Sequence, residues 1–191
     1  FAATVNAIRY VGAEPFFVDC DEESGNMSSH LLRQAIEELR AAGRNVPAVV
    51  PVDLLGKTVD YASLEAIARE FEVRMLCDAA ESFGSRSRGR AAGSFGDASV
   101  ISFNGNKIMT TSGGGMLLTR DEPLATHVRK LSTQARESTL HYEHTEIGYN
   151  YRLSNILAAL GRAQLSRLDD MIARRREWRA GYRKLFADYK G

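Results

Sequence analysis

Short apolar runs and amphipathic helical segments alternate along the first half of this chain, and that alternation restricts the folds open to it. Apolar runs occupy residues 46–52 and 73–77, and the segment 60–71 between them carries apolar side chains at helical spacing. Nearly continuous apolar runs are typical of parallel strands that are buried on both faces. The order of strand, helix and strand therefore predicts an α/β domain built on a largely parallel sheet.

The remaining elements follow from periodicity, caps and turn residues. Residues 100–103 and 116–118 are predicted to be neighbouring strands, and their connection is short enough for an antiparallel hairpin. The polar stretch 133–149 predicts a loop of a length that usually has a function. We also expect a strand at 16–19 and helices at 30–40 (capped by Ser28-Ser29), 122–132, from Ser154 or Asn155 to about 168, and 178–191.

With 44% hydrophobic and 26% charged residues, the 191-residue chain has the composition of a globular protein that can bury one sizeable core. Its 25 basic and 24 acidic residues nearly cancel, so nothing directs the whole molecule to nucleic acid or to an anionic membrane. No apolar run approaches the roughly 20 residues that span a bilayer, and we expect a cytoplasmic protein. His141 and His144 do not complete a metal-ligand pattern, which favours a loop pair over a metal site.

One lysine stands out in the connection between the two hairpin strands. Lys107 lies among small polar residues, whereas a solvated helical lysine usually has carboxylates three or four positions away. This position makes its amine the candidate nucleophile, and we interpret Lys107 as the residue that holds an aldehyde cofactor as a Schiff base. The glycines at 113–115 lack the length, the following lysine and the helix of a phosphate loop, so we reject an ATP site.

Two further polar residues follow strands of the predicted sheet. Ligands of such sheets gather at the carboxyl ends of the strands, and Asp78 lies just past the strand at 73–77. Its carboxylate could bind a ligand, or it could cap a following helix. Ser102, near the end of the strand at 100–103, could likewise bind a phosphate or bond to the neighbouring backbone. Position alone leaves both pairs of alternatives open.

Three blocks together resemble the DegT/DnrJ/EryC1/StrS family of sugar aminotransferases. In order along the chain they are Asp78-Ala79-Ala80-Glu81, Ser102 to Lys107 with its glycine-rich return, and Gly148-Tyr149-Asn150-Tyr151-Arg152. The resemblance covers essentially the whole chain and implies a pyridoxal phosphate (PLP) enzyme of the aspartate aminotransferase fold, PLP fold type I. The forms Asp-Ala-Ala-Glu-Ser and Ser-Phe-Asn-Gly-Asn-Lys are further similar to the subgroup that aminates UDP-linked 4-keto-6-deoxy-N-acetylhexosamines.

The resemblance implies roles for the residues that match the family. Lys107 would bind the cofactor aldehyde and move the substrate proton, while Asp78 would contact the pyridine nitrogen and keep it protonated. Ser102 would bind the cofactor phosphate, and Phe1 would stack on the cofactor ring. Asn150 would bind the phosphate of the neighbouring subunit, because family members build each site across a homodimer interface. Glutamate would be the amino donor and a nucleotide-linked ketosugar the acceptor.

Glu81 departs from the many relatives that have Gln or His at this position and contact the cofactor's ring oxygen with it. A carboxylate that faces an often anionic oxygen has to be protonated or turned away. The resemblance also assigns residues 1–170 to the central part of the cofactor-binding large domain. Residues 171–191 would form a helix leading into a small C-terminal domain that is mostly absent. Because the chain opens within a helical pattern and without a methionine, we expect a fragment.

Two alternatives to an aminotransferase remain after this comparison. Sugar dehydratases of the same fold replace the lysine with histidine, so Lys107 argues against them. A degenerate or truncated member could instead act as a binding or assembly subunit, because part of the family's phosphate site lies upstream of Phe1 and most of its small domain lies beyond Gly191.

Overall fold

A four-stranded sheet lies at the centre of the computed structural model, which describes residues 1–189. The strands of the chain are β1 (Ala48–Val49), β2 (Arg74–Asp78), β3 (Arg86–Ser87), β4 (Arg90–Ala91), β5 (Ala98–Ser102) and β6 (Gly115–Thr119). In the sheet, β1, β2 and β5 are neighbours that run parallel, and β6 pairs with β5 in the antiparallel direction. Strands β3 and β4 form a separate hairpin. The largely parallel sheet and the antiparallel hairpin are therefore confirmed.

Helices occupy most of the segments where periodicity predicts them. They are α1 (Ala2–Tyr10), α2 (Ser29–Ala41), α3 (Tyr61–Glu70), α4 (Glu122–Ser132), α5 (Asn155–Leu165) and α6 (Leu168–Leu185), with a 3-10 turn at Leu54–Gly56. The hydroxyl of Ser28 accepts a hydrogen bond from the backbone N–H of Leu31 and so caps α2. Asp60, Asp121 and Ser154 cap α3, α4 and α5 in the same way.

The core forms where the apolar stripes of α2 and α3 meet the sheet. Leu32 and Ile36 of α2 and Leu64 of α3 are buried in one cluster with Met75 and Cys77 of β2. A second cluster joins Ala79, Ile101, Phe103 and Met109, with Met171 of α6 packed against it. Because Met109 lies two residues after Lys107, this second cluster anchors the loop that carries the candidate nucleophile.

The prediction that the strands at 46–52 and 73–77 are buried on both faces is wrong for β1 and β2. Along β2, Met75 and Cys77 are buried, whereas Arg74 and Leu76 are exposed. Strand β1 is also shorter than the predicted run of 46–52, although Val52 still forms a parallel bridge with Asp78. The alternation arises because α2 and α3 pack on the same face of the sheet.

The predicted strand at 16–19 is also wrong. Phe16 and Phe17 are exposed and have no strand beside them within residues 1–189, so their β propensity finds no partner. The β pairing next to this segment is limited to an isolated antiparallel bridge between Cys20 and Met27. A turn closed by the backbone of Asp21 joins these two residues.

The long helix predicted from Ser154 to about 168 is divided into α5 and α6. The break falls at residues 166–167, where the hydroxyl of Ser166 bonds to the carbonyl of Ala163 and competes with the helical backbone. Helix α6 continues through residue 170 and ends at Leu185, short of the predicted 191, and residues 190 and 191 lie outside the described part of the chain. The division into domains at 170 stays a prediction.

Residues 133–149 form the predicted irregular loop between α4 and α5. Ion pairs attach this loop to α4, since the amine of Lys130 lies 2.6 Å from Glu137 and 2.9 Å from Glu146. None of the helices described between residues 1 and 189 has the length and apolar character needed to cross a membrane.

Candidate active site

The carboxyl edge of the sheet brings several of the predicted site residues together. The parallel strands β2 and β5 end at Asp78 and Ser102, and Asp78 is paired with Val100. Lys107 follows in the turn between β5 and β6. Because parallel strands present their carboxyl ends at the same edge, a carboxylate, a hydroxyl and an amine are grouped there.

Asp78 uses both of its carboxylate oxygens. The hydroxyl of Thr4 donates a hydrogen bond to Oδ2 at 2.6 Å, and the backbone N–H of Ala80 donates to Oδ1 at 3.1 Å. The residues that follow Asp78 form a turn and not a helix, so the helix-capping alternative is wrong. These contacts orient the carboxylate at the end of β2, and its contact with a pyridine nitrogen stays a prediction.

The amine of Lys107 is largely buried and faces the carboxylate of Glu81. Its side chain is 13% exposed, and Nζ lies 3.3 Å from Oε1 of Glu81, whose side chain is 33% exposed. Among residues 1–189, no other carboxylate lies within 4 Å of this amine. The backbone N–H of Lys107 donates to the carbonyl of Asn104 at 3.1 Å and closes the turn. A short turn therefore presents the amine to one charged neighbour.

The other oxygen of Glu81 is held by the backbone, since the N–H of Leu55 donates to Oε2 at 2.9 Å. This hydrogen bond first, and the amine of Lys107 second, lower the pKa of Glu81 against the opposing effect of burial. Glu81 is therefore ionised at neutral pH and directed at Lys107. How Glu81 meets the ring oxygen of a bound cofactor, protonated or turned away, stays a prediction.

Phe1 lies on the solvent side of the amine. Its ring centroid is 5.9 Å from Nζ of Lys107, within the range of a cation–π contact, and the residue is 91% exposed. The predicted stacking of Phe1 on a cofactor ring remains untested. Its position beside the nucleophile is nevertheless what that role requires.

Ser102 and Asn150 are the two predicted phosphate contacts. The hydroxyl of Ser102 accepts a hydrogen bond from the backbone N–H of Asn104 at 3.2 Å, which is the backbone alternative. Asn150 is exposed and forms a backbone bridge with Thr133. No hydrogen bond between residues 1 and 189 links its side chain to Lys107. Both phosphate contacts stay predictions.

Sequence reasoning missed Thr4, Leu55 and Asp53. Thr4 lies in the first turn of α1, three residues after the N-cap Phe1, and this spacing is the signal that could have placed it near the same site. Leu55 contributes only its backbone N–H, for which the sequence holds no signal. Asp53 is fully buried directly before the 3-10 turn at Leu54–Gly56 and accepts hydrogen bonds from the hydroxyls of Tyr61 and Ser82.

Residues with metal-binding side chains do not cluster into a candidate metal site in the range 1–189. His144 bonds through Nδ1 to the carbonyl of Gln134 at 2.8 Å, and His141 lies 3.4 Å from Glu143. The histidines therefore have local partners in the loop, and the amine and carboxylates at the sheet edge define the candidate site.

The sequence of the chain also matches a known protein family. The DegT/DnrJ/EryC1/StrS aminotransferase family matches residues 1–191. The chain belongs to this family. PLP is the cofactor of these aminotransferases, and one similar solved structure, Spr1654 from Streptococcus pneumoniae, is in its PLP form.

Several curated relatives are similar over nearly the whole chain. EpsN of Bacillus subtilis is 46% identical over 92% of the chain and 45% of its own length. GDP-perosamine synthase of Escherichia coli O157:H7 is 40% identical over 96% of the chain and 49% of its own length. UDP-4-amino-4,6-dideoxy-N-acetyl-beta-L-altrosamine transaminase of Campylobacter jejuni is 30% identical over 97% of the chain and 49% of its length. The chain thus spans about half the length of the curated relatives it matches.

Solved structures of this aminotransferase family share the fold. Helicobacter pylori PseC, an aminotransferase involved in the biosynthesis of pseudoaminic acid, superposes with a TM-score of 0.91. It is 30% identical, and the match covers 99% of this chain and 50% of PseC. The Spr1654 structure superposes with a TM-score of 0.85 at 26% identity, covering 98% of this chain and 52% of that one. The predicted aminotransferase fold, PLP fold type I, is therefore confirmed.

Proposed function

We propose that the protein to which this chain belongs transfers an amino group to a nucleotide-linked ketosugar, with PLP as cofactor and glutamate as donor. The observation that carries the proposal is the largely buried amine of Lys107, which lies 3.3 Å from Glu81 at the sheet edge where Asp78 ends β2. Membership of the sugar aminotransferase family supports the same reaction class. We further propose that the enzyme acts in the cytoplasm.

The described residues fit PLP. An aldehyde requires an amine, a pyridine nitrogen requires a carboxylate and a phosphate requires hydrogen-bond donors, and Lys107, Asp78 and Ser102 supply these groups at one edge of the sheet. Phe1 borders the amine and offers an aromatic face. In our proposal, Asn150 of a second copy of the chain adds a further phosphate contact.

The chain's own residues would then act on protons and orientation. When bound, PLP supplies an electron sink for the carbanion at the carbon that loses or gains the amino group. Lys107 serves as the general base that removes the proton from the donor carbon and as the general acid that returns a proton to the sugar carbon. Asp78, oriented by Thr4 and by the backbone of Ala80, holds the proton of the pyridine nitrogen. Glutamate leaves as 2-oxoglutarate, and the ketosugar leaves as an aminosugar.

For the substrate, we propose a UDP-linked 4-keto-6-deoxy-N-acetylhexosamine. The similarity of the Asp-Ala-Ala-Glu-Ser and Ser-Phe-Asn-Gly-Asn-Lys motifs to that subgroup supports this choice, as does the UDP-linked sugar in the name of the Campylobacter jejuni relative. Other relatives are named for GDP-linked and dTDP-linked sugars, so the nucleotide is the feature that most needs a direct test.

The test is turnover by the full-length protein with PLP, glutamate and a panel of UDP-, GDP- and dTDP-linked 4-keto-6-deoxy sugars, with products identified by mass. We expect the UDP-linked N-acetylhexosamine to give the highest kcat/KM and the Lys107→Ala variant to give no product, because it lacks the proton-transferring amine. Lys184→Ala, which removes a lysine of α6 that is exposed in this structure, is the matched control and should retain activity.

Other outcomes of the panel would overturn defined parts of the proposal. A higher kcat/KM with a GDP-linked or dTDP-linked sugar would refute the substrate and keep the reaction. Full activity in Lys107→Ala would refute the site. Borohydride reduction with PLP, followed by peptide mapping, separates the remaining case: a folded full-length protein that takes up no label on Lys107 and forms no product would be a binding subunit.

A further inference from the structure

The loop between α4 and α5 is closed at its base by backbone hydrogen bonds to the end of α4. The N–H of Tyr149 donates to the carbonyl of Leu131 at 2.7 Å. The N–H of Tyr151 donates to the carbonyl of Ser132 at 3.0 Å. Because Asn150 lies between these two donors, the last turn of α4 sets the position of its backbone.

The two ends of this loop approach each other too closely for a side chain at residue 148. A Cβ on Gly148 would lie 2.1 Å from the backbone nitrogen of Ala135 and 2.2 Å from the carbonyl carbon of Gln134. Gln134 and Ala135 themselves have φ values of 59° and 51°, in the left-handed region that residues other than glycine seldom adopt. Neighbouring structure has to maintain such a conformation, and conformations of this kind are found preferentially at functional sites.

One cation joins both halves of the loop to α4. Nζ of Lys130 lies 2.6 Å from Oε1 of Glu137, in the first half of the loop, and 2.9 Å from Oε1 of Glu146, near its end. The other oxygen of Glu146 lies 2.8 Å from Nε2 of His127, one turn earlier on α4. The side chains of the lysine and its two carboxylates are between 28% and 34% exposed, so these ion pairs are partly shielded from water.

Both carboxylates of this cluster are ionised at neutral pH. The hydrogen bond from the amine of Lys130 lowers the pKa of Glu137, while His127 first and Lys130 second lower the pKa of Glu146. The pKa of Lys130 is raised in turn, by Glu137 first and then by Glu146. Without the ammonium group, the two negative charges would repel each other, because their oxygens lie 2.6 and 2.9 Å from the same nitrogen.

We propose that Lys130 is a positioning residue for the phosphate contact of Asn150. Its ammonium group holds both halves of the loop on α4, and the loop leads directly into Asn150. This role rests on the proposed function, in which Asn150 reaches the cofactor phosphate of a second copy of the chain. Lys130 acts through the loop and not on the phosphate itself. A loop that is already held in one conformation loses less freedom when Asn150 binds, so the phosphate is bound more tightly.

The test combines hydrogen exchange with PLP titration of the full-length protein. Amide exchange of the peptide that covers the loop is measured by mass spectrometry without PLP, and the Kd of PLP is measured by absorbance titration. Lys130→Met keeps the unbranched apolar stem of the side chain and removes its charge, whereas Lys130→Arg keeps the charge. Lys184→Met removes the charge of an exposed lysine on α6 and is the matched control.

We expect Lys130→Met to speed exchange of the loop amides about three- to tenfold and to raise the Kd of PLP by a similar factor, as the loss of a network of partly exposed ion pairs implies. Lys130→Arg should stay within about twofold of the wild type, because a guanidinium can pair with both carboxylates. Lys184→Met should match the wild type. In an Asn150→Ala background, Lys130→Met should raise the Kd no further, because a residue that acts through Asn150 then has nothing to position.

Unchanged exchange in Lys130→Met would overturn the attachment of the loop. Equal losses of PLP affinity with and without Asn150 would overturn the positioning role. Should Lys130→Met fail to fold, as judged by its thermal unfolding, Glu137→Gln removes one of the two carboxylates and should also speed exchange, and an unchanged rate there would refute the attachment. Absence of PLP binding by the wild type would refute the proposed function and the role of Asn150 with it, whereas faster exchange in Lys130→Met would still show that the amine holds the loop.

Discussion

At the scale of single residues, the site rests on a buried carboxylate that the proposed chemistry does not use. Asp53 accepts hydrogen bonds from the backbone N–H of Val59 and the hydroxyl of Tyr61, both at 2.8 Å, and from Ser82 in the turn that carries Glu81. Burial raises the pKa of Asp53, although these donors oppose the effect. The folded state thus keeps this proton at pH values where the unfolded chain has released it. The contribution of Asp53 to stability therefore falls as the pH rises from the ordinary pKa of an aspartate toward the raised pKa of the folded state.

We predict that Tyr61→Phe destabilises the protein by about 2 kcal/mol at pH 7, because the buried carboxyl group of Asp53 loses one of its hydrogen-bond donors. Below the pH at which Asp53 becomes protonated, the difference from the wild type should be smaller, since the acceptor is then neutral. Urea unfolding at pH 7, and at a pH low enough to protonate Asp53, measures these free energies of unfolding. Tyr182→Phe removes the hydroxyl of an exposed tyrosine on α6 and is expected to have no effect; an equal loss in the two variants would contradict the prediction.

At the scale of elements, the geometry of the sheet edge depends on the turn that leads into β5. Gly96 has a φ of 66°, and a Cβ at this position would lie 2.4 Å from the carbonyl oxygen of Met75 and 3.0 Å from Sγ of Cys77. The close approach of this turn to β2 sets the register in which Leu76 pairs with Ala98. The register in turn places Asp78 and Ser102 at the same edge.

Gly96→Ala should therefore destabilise the protein by about 3 kcal/mol, through the strained φ and the clash with the backbone of β2 together. The measurement is the free energy of unfolding in urea. Gly181→Ala, on α6, has no atom within 4 Å of the added methyl group and should cause no loss, because alanine favours the helix. A Gly96→Ala variant as stable as the wild type would show that the turn can move without cost.

At the scale of the whole molecule, we propose that the site is shared between two copies of the chain. Lys107 and Asp78 lie together at the sheet edge, whereas Asn150 follows a loop that ion pairs of Lys130 attach to α4. No hydrogen bond in the part described here joins Asn150 to Lys107. In the homodimer proposal, which the family resemblance implies, Asn150 reaches the phosphate from a second copy of the chain.

Mixing two inactive variants of the full-length protein tests this arrangement. Lys107→Ala and Asn150→Ala should each have little activity, since each lacks one contributor to every site. After unfolding and refolding as an equal mixture, about half of the dimers are mixed and contain one intact site of two, so we expect roughly a quarter of the wild-type activity. Recovery of no activity from mixed dimers verified by mass would show that Lys107 and Asn150 serve the same subunit's site.

The sequence by itself determined the features that depend on local patterns. Helical periodicity and caps located α2, α3 and α4, because a helix is specified by side chains three and four residues apart and by its first turn. The short, glycine-rich connection after β5 predicted the hairpin. The position of Lys107 among the small polar residues of that connection marked it as the candidate nucleophile. The motif blocks around Asp78, Lys107 and Asn150 identified the family.

Only the tertiary structure decided which groups meet. Thr4 and Asp78 are 74 positions apart, and Lys107 and Glu81 are 26 apart, so no local periodicity relates them. The exposure of Leu76 and the absence of a strand at 16–19 likewise depend on which faces and edges neighbouring elements cover. Leu55 binds Glu81 through its backbone alone, and the direction of a backbone N–H is set by the conformation of the turn, to which the leucine side chain gives no guide.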